Sequence, residues 1–249
     1  MHILIGDVHG CLSELKALWQ QLPLDKAHAI IFLGDLIDKG PDTDGVLDFV
    51  QAQRQHWPLV LVRGNHEAKA LRAHRRGAPL EFNPTPERLT LLEQMLPFYV
   101  FKAGQQRCLA VHGGIYPAFW RHESALPDPE TEAQWPRRLR DQVQRFLFCR
   151  YVNPKGHIVA LGHENAEDHF WAESYAGQAG TVFFGHQPFL NGVARFARAY
   201  GLDTGCVFGG HLSAALLWPD GQLHWQQVPA QKAYAAPLSW EAPRPPQTL

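Results

Sequence analysis

Short apolar runs, each cut off by glycine and a polar cluster, set the rhythm of this chain. Five recur: His2-Ile3-Leu4-Ile5, Ala29 to Leu33, Leu59-Val60-Leu61-Val62, Cys108-Leu109-Ala110-Val111 and Thr181-Val182-Phe183-Phe184. They are too short for buried helices and rich in Ile, Val and Phe, which predicts buried strands. Between the first three, Leu12, Leu15, Leu18, Trp19 and Leu22 fall at three- and four-residue spacing, as do Val46, Leu47 and Val50. That spacing predicts amphipathic helices. Strand, helix, strand, helix, strand reads as an α/β sheet with crossover connections.

Further along, residues from about 67 to 102 look helical, with a polar loop around "GAPLEFNPTPE". The stretch from about 115 to 178 is irregular, contains Trp and Arg, and interrupts the strand pattern. It reads as a cap-like insertion covering the crevice. "SAALLW-PDGQ-LHWQQV" is a hairpin signature with a Pro-Asp-Gly turn. Residues 1–228 are thus expected to form one domain, followed by a Pro-rich tail at 229–249.

Composition narrows the classes. Lys plus Arg total 23 against 24 Asp plus Glu, so no global basic field attracts nucleic acid non-specifically. Four scattered cysteines show no C-x-x-C spacing, and Cys108 and Cys206 sit among apolar residues as small core side chains. The chain opens on strand-like "MHILIG" with no signal-peptide pattern, and no apolar run is long enough for a membrane span. A cytoplasmic setting is the expectation. Fourteen histidines against two methionines is a bias that needs a cause.

The cause lies in the motifs at the ends of the apolar runs: "GDVHG", "GDLIDKG", "RGNHE", "HGG" and "GHQP". In parallel α/β sheets, the carboxyl ends of the strands face the ligand crevice. These motifs place Asp7, His9, Asp35, Asn65, His66, His112 and His186 there. Residues two apart in extended chain share a side, so Asp7 and His9 can aim at one point. The donors are oxygen and nitrogen with no thiolate, which suits Mn, Fe, Zn or Co. They are too many for one ion and about right for two, a recurring arrangement for phosphoryl transfer. "GDVHG" lacks the G-x-G-x-x-G pattern, so a Rossmann dinucleotide fold is excluded.

Taken together and in this order, the five motifs resemble those of the phosphoprotein phosphatase family of calcineurin-like metallophosphoesterases. That family includes Ser/Thr protein phosphatases and bacterial symmetrical bis(5'-nucleosyl)-tetraphosphatases. The stretch "GTVFFGHQPF … GLDTGCVFGGHLSAALLWPDGQL" is more similar to the tetraphosphatase branch. The resemblance implies a sandwich of mixed β-sheets flanked by helices, with a dimetal site at the strand carboxyl ends. It implies that Asp7, His9 and Asp35 bind the first metal, and that Asp35 bridges to a second held by Asn65, His112 and His186. It further implies that His66 is the general acid and Asp38 orients it. Arg63, and Arg150 on a looser motif, would grip phosphate.

Lys39 stands where the family usually has Arg, keeping the charge but losing the bidentate fork. Two divalent ions, manganese foremost with Fe, Zn, Co or Ni as alternatives, would support direct attack by a bridging hydroxide. The implied reaction is cleavage of diadenosine tetraphosphate to two ADP. A Ser/Thr or dual-specificity protein phosphatase is the alternative, then a polynucleotide end phosphatase or a non-catalytic metal-binding module. The implied partner is accordingly a dinucleoside polyphosphate or a phosphoprotein. Oligomeric state is left open.

Several residues admit two readings. His163 in "IVALGHE" also comes after an apolar run, but Gln187-Pro188 and the downstream "DTGC" favour His186. Arg150 belongs to an Arg-rich segment whose charges can equally be solvated. Asp203 fits either a site hydrogen bond or a buried turn. Trp120, Trp135 and Trp171 can stack on a nucleobase or pack beneath a lid.

Overall fold

The computed structural model describes residues 1–236. Of the expected tail at 229–249, residues 237–249 lie outside the described residues. The chain runs β1 (His2–Ile5), α1 (Leu12–Gln21), β2 (Ala29–Phe32), α2 (Thr43–Gln53), β3 (Leu59–Leu61), α3 (Asn65–Arg75) and α4 (Pro86–Glu93). It continues through β4 (Phe98–Ala103), β5 (Gln106–Val111), α5 (Arg137–Gln144), β6 (Tyr151–Val152), β7 (His169–Phe170) and β8 (Thr181–Phe184). The last elements are β9 (Ala194–Arg195), β10 (Ala199–Gly201), β11 (His211–Leu217) and β12 (Leu223–Pro229).

Two mixed five-stranded sheets result, ordered β12-β11-β1-β2-β3 and β4-β5-β8-β10-β9. The apolar runs are continuous because both faces of each strand are covered. Along β1 and β2, Ile3, Ile5, Ile30 and Phe32 join a core with Leu15 and Leu18 of α1 and Val46 of α2. The alternate residues Leu4 and Ile31 join Cys108, Ala110 and Phe183 of the second sheet. Leu109, Val111, Val182 and Phe184 face a third core with Phe119, Phe146 and Trp171 of the segment 115–178. Period-two alternation thus produces a layered sandwich, with Leu4, Ile31, Cys108 and Phe183 in its middle.

One expectation is corrected. Residues 98–103 are not helical; Phe98–Ala103 is a strand paired antiparallel to β5, from Phe98↔Val111 to Ala103↔Gln106. "FYVFKA" alternates in destination, Phe98 to the outer core and Phe101 and Ala103 to the middle. Tertiary burial on both faces makes that segment a strand despite the helices before it. The C-terminal hairpin forms as expected, β11 pairing with β12 from His211↔Pro229 to Leu217↔Leu223. Among the described residues no helix is long and apolar enough to cross a membrane.

Candidate active site

The loops that leave β1, β2, β3, β5 and β8 converge, and they hold each other by main-chain bonds. Val8 and His9 amides both donate to Asp35 O, at 3.1 and 2.8 Å, and Gly10 N donates to Leu36 O. Gly185 N donates to His112 O at 2.8 Å. Among the described residues, the non-glycine positions with positive φ are His9, Asp35, Asp38, Lys39 and His186. All five are site candidates. Left-handed backbone costs a non-glycine residue roughly 1–3 kcal/mol, so surrounding bonds must hold it.

Glu67 supplies much of that hold. Fully buried, it accepts from the amides of Asp35 (3.0 Å), Leu36 (2.7 Å) and Gly64 (2.8 Å). It clamps the Asp35 turn to the start of α3. A Cβ at Gly64 would run into Asp35 Oδ1, so this close approach requires glycine there.

Asp35 Oδ2 is the point of convergence. It lies 3.4 Å from His112 Nε2, 3.6 Å from His9 Nε2 and 3.9 Å from His66 Nε2. His9 Nδ1 faces Ile37 O at 2.9 Å and His112 Nδ1 faces Leu33 O at 2.8 Å. A carbonyl only accepts, so both Nδ1 atoms donate and both Nε2 lone pairs point at the cluster. His112 Nε2 also stands 2.9 Å from Asn65 Oδ1. In the neutral ring these are two lone pairs facing each other, an arrangement that calls for a proton or a cation between them.

His186 completes the second group, its Nε2 buried with no hydrogen-bond partner. Its own amide donates to both oxygens of Asp7, at 3.2 and 3.0 Å. Asp7 is thereby fixed through His186 rather than through His9.

The electrostatics describe a cluster short of positive charge. Burial, then the charges of Asp203 and Asp35, push the Asp7 carboxyl well above the usual range. Burial pushes Asp203 up to about 6. It pulls His9 down to about 3 and, helped by Arg150, holds His186 well below its ordinary value. Asp35 goes the other way: burial opposes ionisation, but His112, His66 and His9 outweigh it. Oxygen and nitrogen donors, inward lone pairs and an orphaned imidazole nitrogen fit divalent cations.

His66 sits beside this cluster on a separate support. Its amide donates to Asp35 Oδ1 at 3.0 Å and its Nδ1 lies 2.7 Å from Asp38 Oδ2. Burial lowers the imidazole, but Asp35 and the Asp38 bond carry it above its ordinary value.

Above the cluster opens a cavity of about 520 Å³, lined by Lys39, His66 and Arg150, among others. Lys39 Nζ lies 4.9 Å over the Phe208 ring, and Arg150 Nη2 donates to His186 O at 3.0 Å. Asp203 also lines it, and its buried carboxylate accepts from Gly205 N at 2.9 Å, the bond of a local turn.

Arg63 is not brought to this cavity. Its guanidinium meets Glu132 at 2.5 Å and lines a smaller neighbouring cavity with Arg72, Arg75 and Arg140. The Glu132 carboxylate pairs with it there, and Arg63 is not among the residues that line the larger cavity. His163 is exposed and apart from the cluster. Trp135 and Trp171 are buried, Trp171 Nε1 donating to Gly113 O, and Trp120 likewise lines no part of the cavity. Lys69 and Phe148 do line it, and sequence reasoning did not single them out. The signal for Lys69 was its place three residues after His66 on one helix face.

A two-sheet sandwich with these five loops gathered at its strand ends defines a calcineurin-like phosphoesterase. Residues 3–213 match that family's model, and the chain belongs to the family. It is therefore a metal-dependent hydrolase, and the family implies a dinuclear divalent centre. It is 29% identical to the symmetrical bis(5'-nucleosyl)-tetraphosphatase of Edwardsiella ictaluri, over 93% of this chain and 96% of that protein. It is also 29% identical to serine/threonine-protein phosphatase 1 of Salmonella typhimurium, over 85% of this chain and 89% of that one. A crystal structure of a candidate diadenosine tetraphosphatase superposes with a TM-score of 0.67 at 28% identity, covering 92% and 93% of the two chains.

Proposed function

We propose that this chain is a dinucleoside tetraphosphatase that splits diadenosine tetraphosphate symmetrically into two ADP. The observation that carries this reading is the cavity itself, which sets three cationic side chains, Lys39, Lys69 and Arg150, beside a buried cluster of carboxylates and imidazoles. Similarity to tetraphosphatases over nearly the full length of both chains supports it.

Asp7, His9 and Asp35 would hold one divalent ion and Asp35, Asn65, His112 and His186 the other. When bound, such ions activate water and polarise phosphoryl oxygens. Manganese is the proposed metal, on a donor set without sulfur. Lys39 and Arg150 meet the charge on the phosphoryl oxygens. His66, with Nδ1 on Asp38, presents Nε2 to the cavity and can pass a proton to the departing ADP phosphate, a contribution of about 10²–10⁴ in rate. Residues 115–178 serve as a cap within a domain spanning 1–228, in a cytoplasmic enzyme.

Incubation with diadenosine tetraphosphate and manganese, with chromatography of the products, tests this: ADP alone is expected. Release of ATP plus AMP, or no turnover, overturns it. The similarity to serine/threonine-protein phosphatase 1 supports a second reading. A phosphopeptide surpassing the dinucleotide in kcat/KM would favour that one.

A further inference from the structure

Large apolar side chains of the described residues are nearly all buried or partly buried. Among the described residues only Phe148 and Leu190 are exposed, each at 44%. Phe148 ends the short 3-10 turn Arg145–Phe148, and its neighbours anchor it on both sides. Phe146, Leu147 and Cys149 are buried in the cap, and Arg150 bonds the His186 carbonyl. An exposed ring on so firmly held a backbone is not the slack of a loop. It lines the cavity, and it meets the His186 ring edge-on with centroids 6.4 Å apart.

The cavity has two chemical characters. Its floor is charged, but Phe148, Ile158, Leu161, Pro188 and Phe208 form an apolar wall. Phe208 already carries Lys39 against its ring. A phosphoryl group has no use for such a wall, whereas a planar heteroaromatic ring does. We infer that Phe148 is a stacking platform for the nucleobase of the substrate, with Ile158 and Leu161 as the apolar surface beside it. This rests on the dinucleoside tetraphosphatase reading and extends it to a base subsite one imidazole ring away from the metal-type cluster. The tryptophans cannot serve, because none of the three considered for stacking lines the cavity.

The test is calorimetric and kinetic, on the manganese-loaded enzyme. ADP and inorganic pyrophosphate are titrated into wild type, Phe148→Ala and Phe148→Trp. The alanine variant is expected to bind ADP about tenfold to a hundredfold more weakly, with pyrophosphate affinity unchanged. KM for diadenosine tetraphosphate should rise in step, and Phe148→Trp should restore both. Equal losses for ADP and pyrophosphate, or no loss for ADP, overturn the platform. Wild-type enzyme that binds ADP no better than pyrophosphate and leaves the dinucleotide intact overturns the parent reading as well.

Discussion

The floor of the cavity and the part of its wall from Ile158 to Leu161 come from different parts of the chain and are built differently. On the floor, five non-glycine residues take left-handed backbone, and loops from five strand ends are cross-bonded. Asp35 alone accepts two amides at its carbonyl and one at its carboxylate, while its own amide is held by Glu67. The wall segment from Ile158 to Leu161 has no left-handed non-glycine residue and is tied by single bonds such as Val159 N to Tyr151 O. Chemistry that tolerates little displacement is placed where strain is locked in. Recognition is placed where sequence and shape can vary without unlocking it.

The sharpest way to break this contrast is at the convergence point. Asp35→Asn is expected to lower kcat by about 10³-fold or more, with loss of bound divalent metal by elemental analysis. Retention of full activity would mean the floor is not the reactive region. His66→Asn should cost about 10²–10⁴ in kcat while leaving the metal content intact. Asp38→Asn should rank next at about 10- to 100-fold, since it acts only through the ring it orients.

A smaller effect separates the two cationic positions. Lys39→Ala should raise KM for the dinucleotide about tenfold, as loss of one charged contact does, whereas Arg63→Ala should leave KM within about threefold. The reverse ranking would return Arg63 to the phosphate.

The smallest effect lies away from both regions. Burial, with His28 and the N-terminus, lowers His2 from 6.5 to about 4. The unfolded chain takes up this proton first, so stability is lost as pH falls from about 6.5 towards 4. His2→Phe should flatten that limb by about 1–2 kcal/mol between pH 7 and 5 in urea unfolding, with activity at pH 7 unchanged.

Most of the floor was legible because strand ends announce themselves: an apolar run stops and a ligand-type residue comes within a few positions. Asp35, His112 and His186 were found that way. Arg63 sits in the same kind of motif, but its partner Glu132 comes from a distant 3-10 turn, and no local pattern reports a long-range ion pair. β4 was misjudged because its two buried faces erase the polar alternation that marks a half-exposed strand. The wall was illegible for a related reason. Phe148 is one aromatic among fourteen phenylalanines, and only the fold shows that its ring stays out of the core. Glu67 belongs to the "RGNHE" motif, but only the fold shows that its carboxylate secures three amides across two loops.

The first strand takes one neighbour close in sequence and one distant, β2 on one side and β11 on the other. During synthesis, β1, β2 and β3 can pair early, but the far edge of β1 waits for residues 211–217. At about 5–20 residues per second that wait is on the order of ten seconds or more, with an apolar strand edge open to other chains. Gly6, which begins the first motif, bonds Ser213 only once β11 arrives. Ribosome-bound fragments therefore carry an unfinished floor, and the cell meets this hydrolase as a working catalyst only after residues 211–217 have been made.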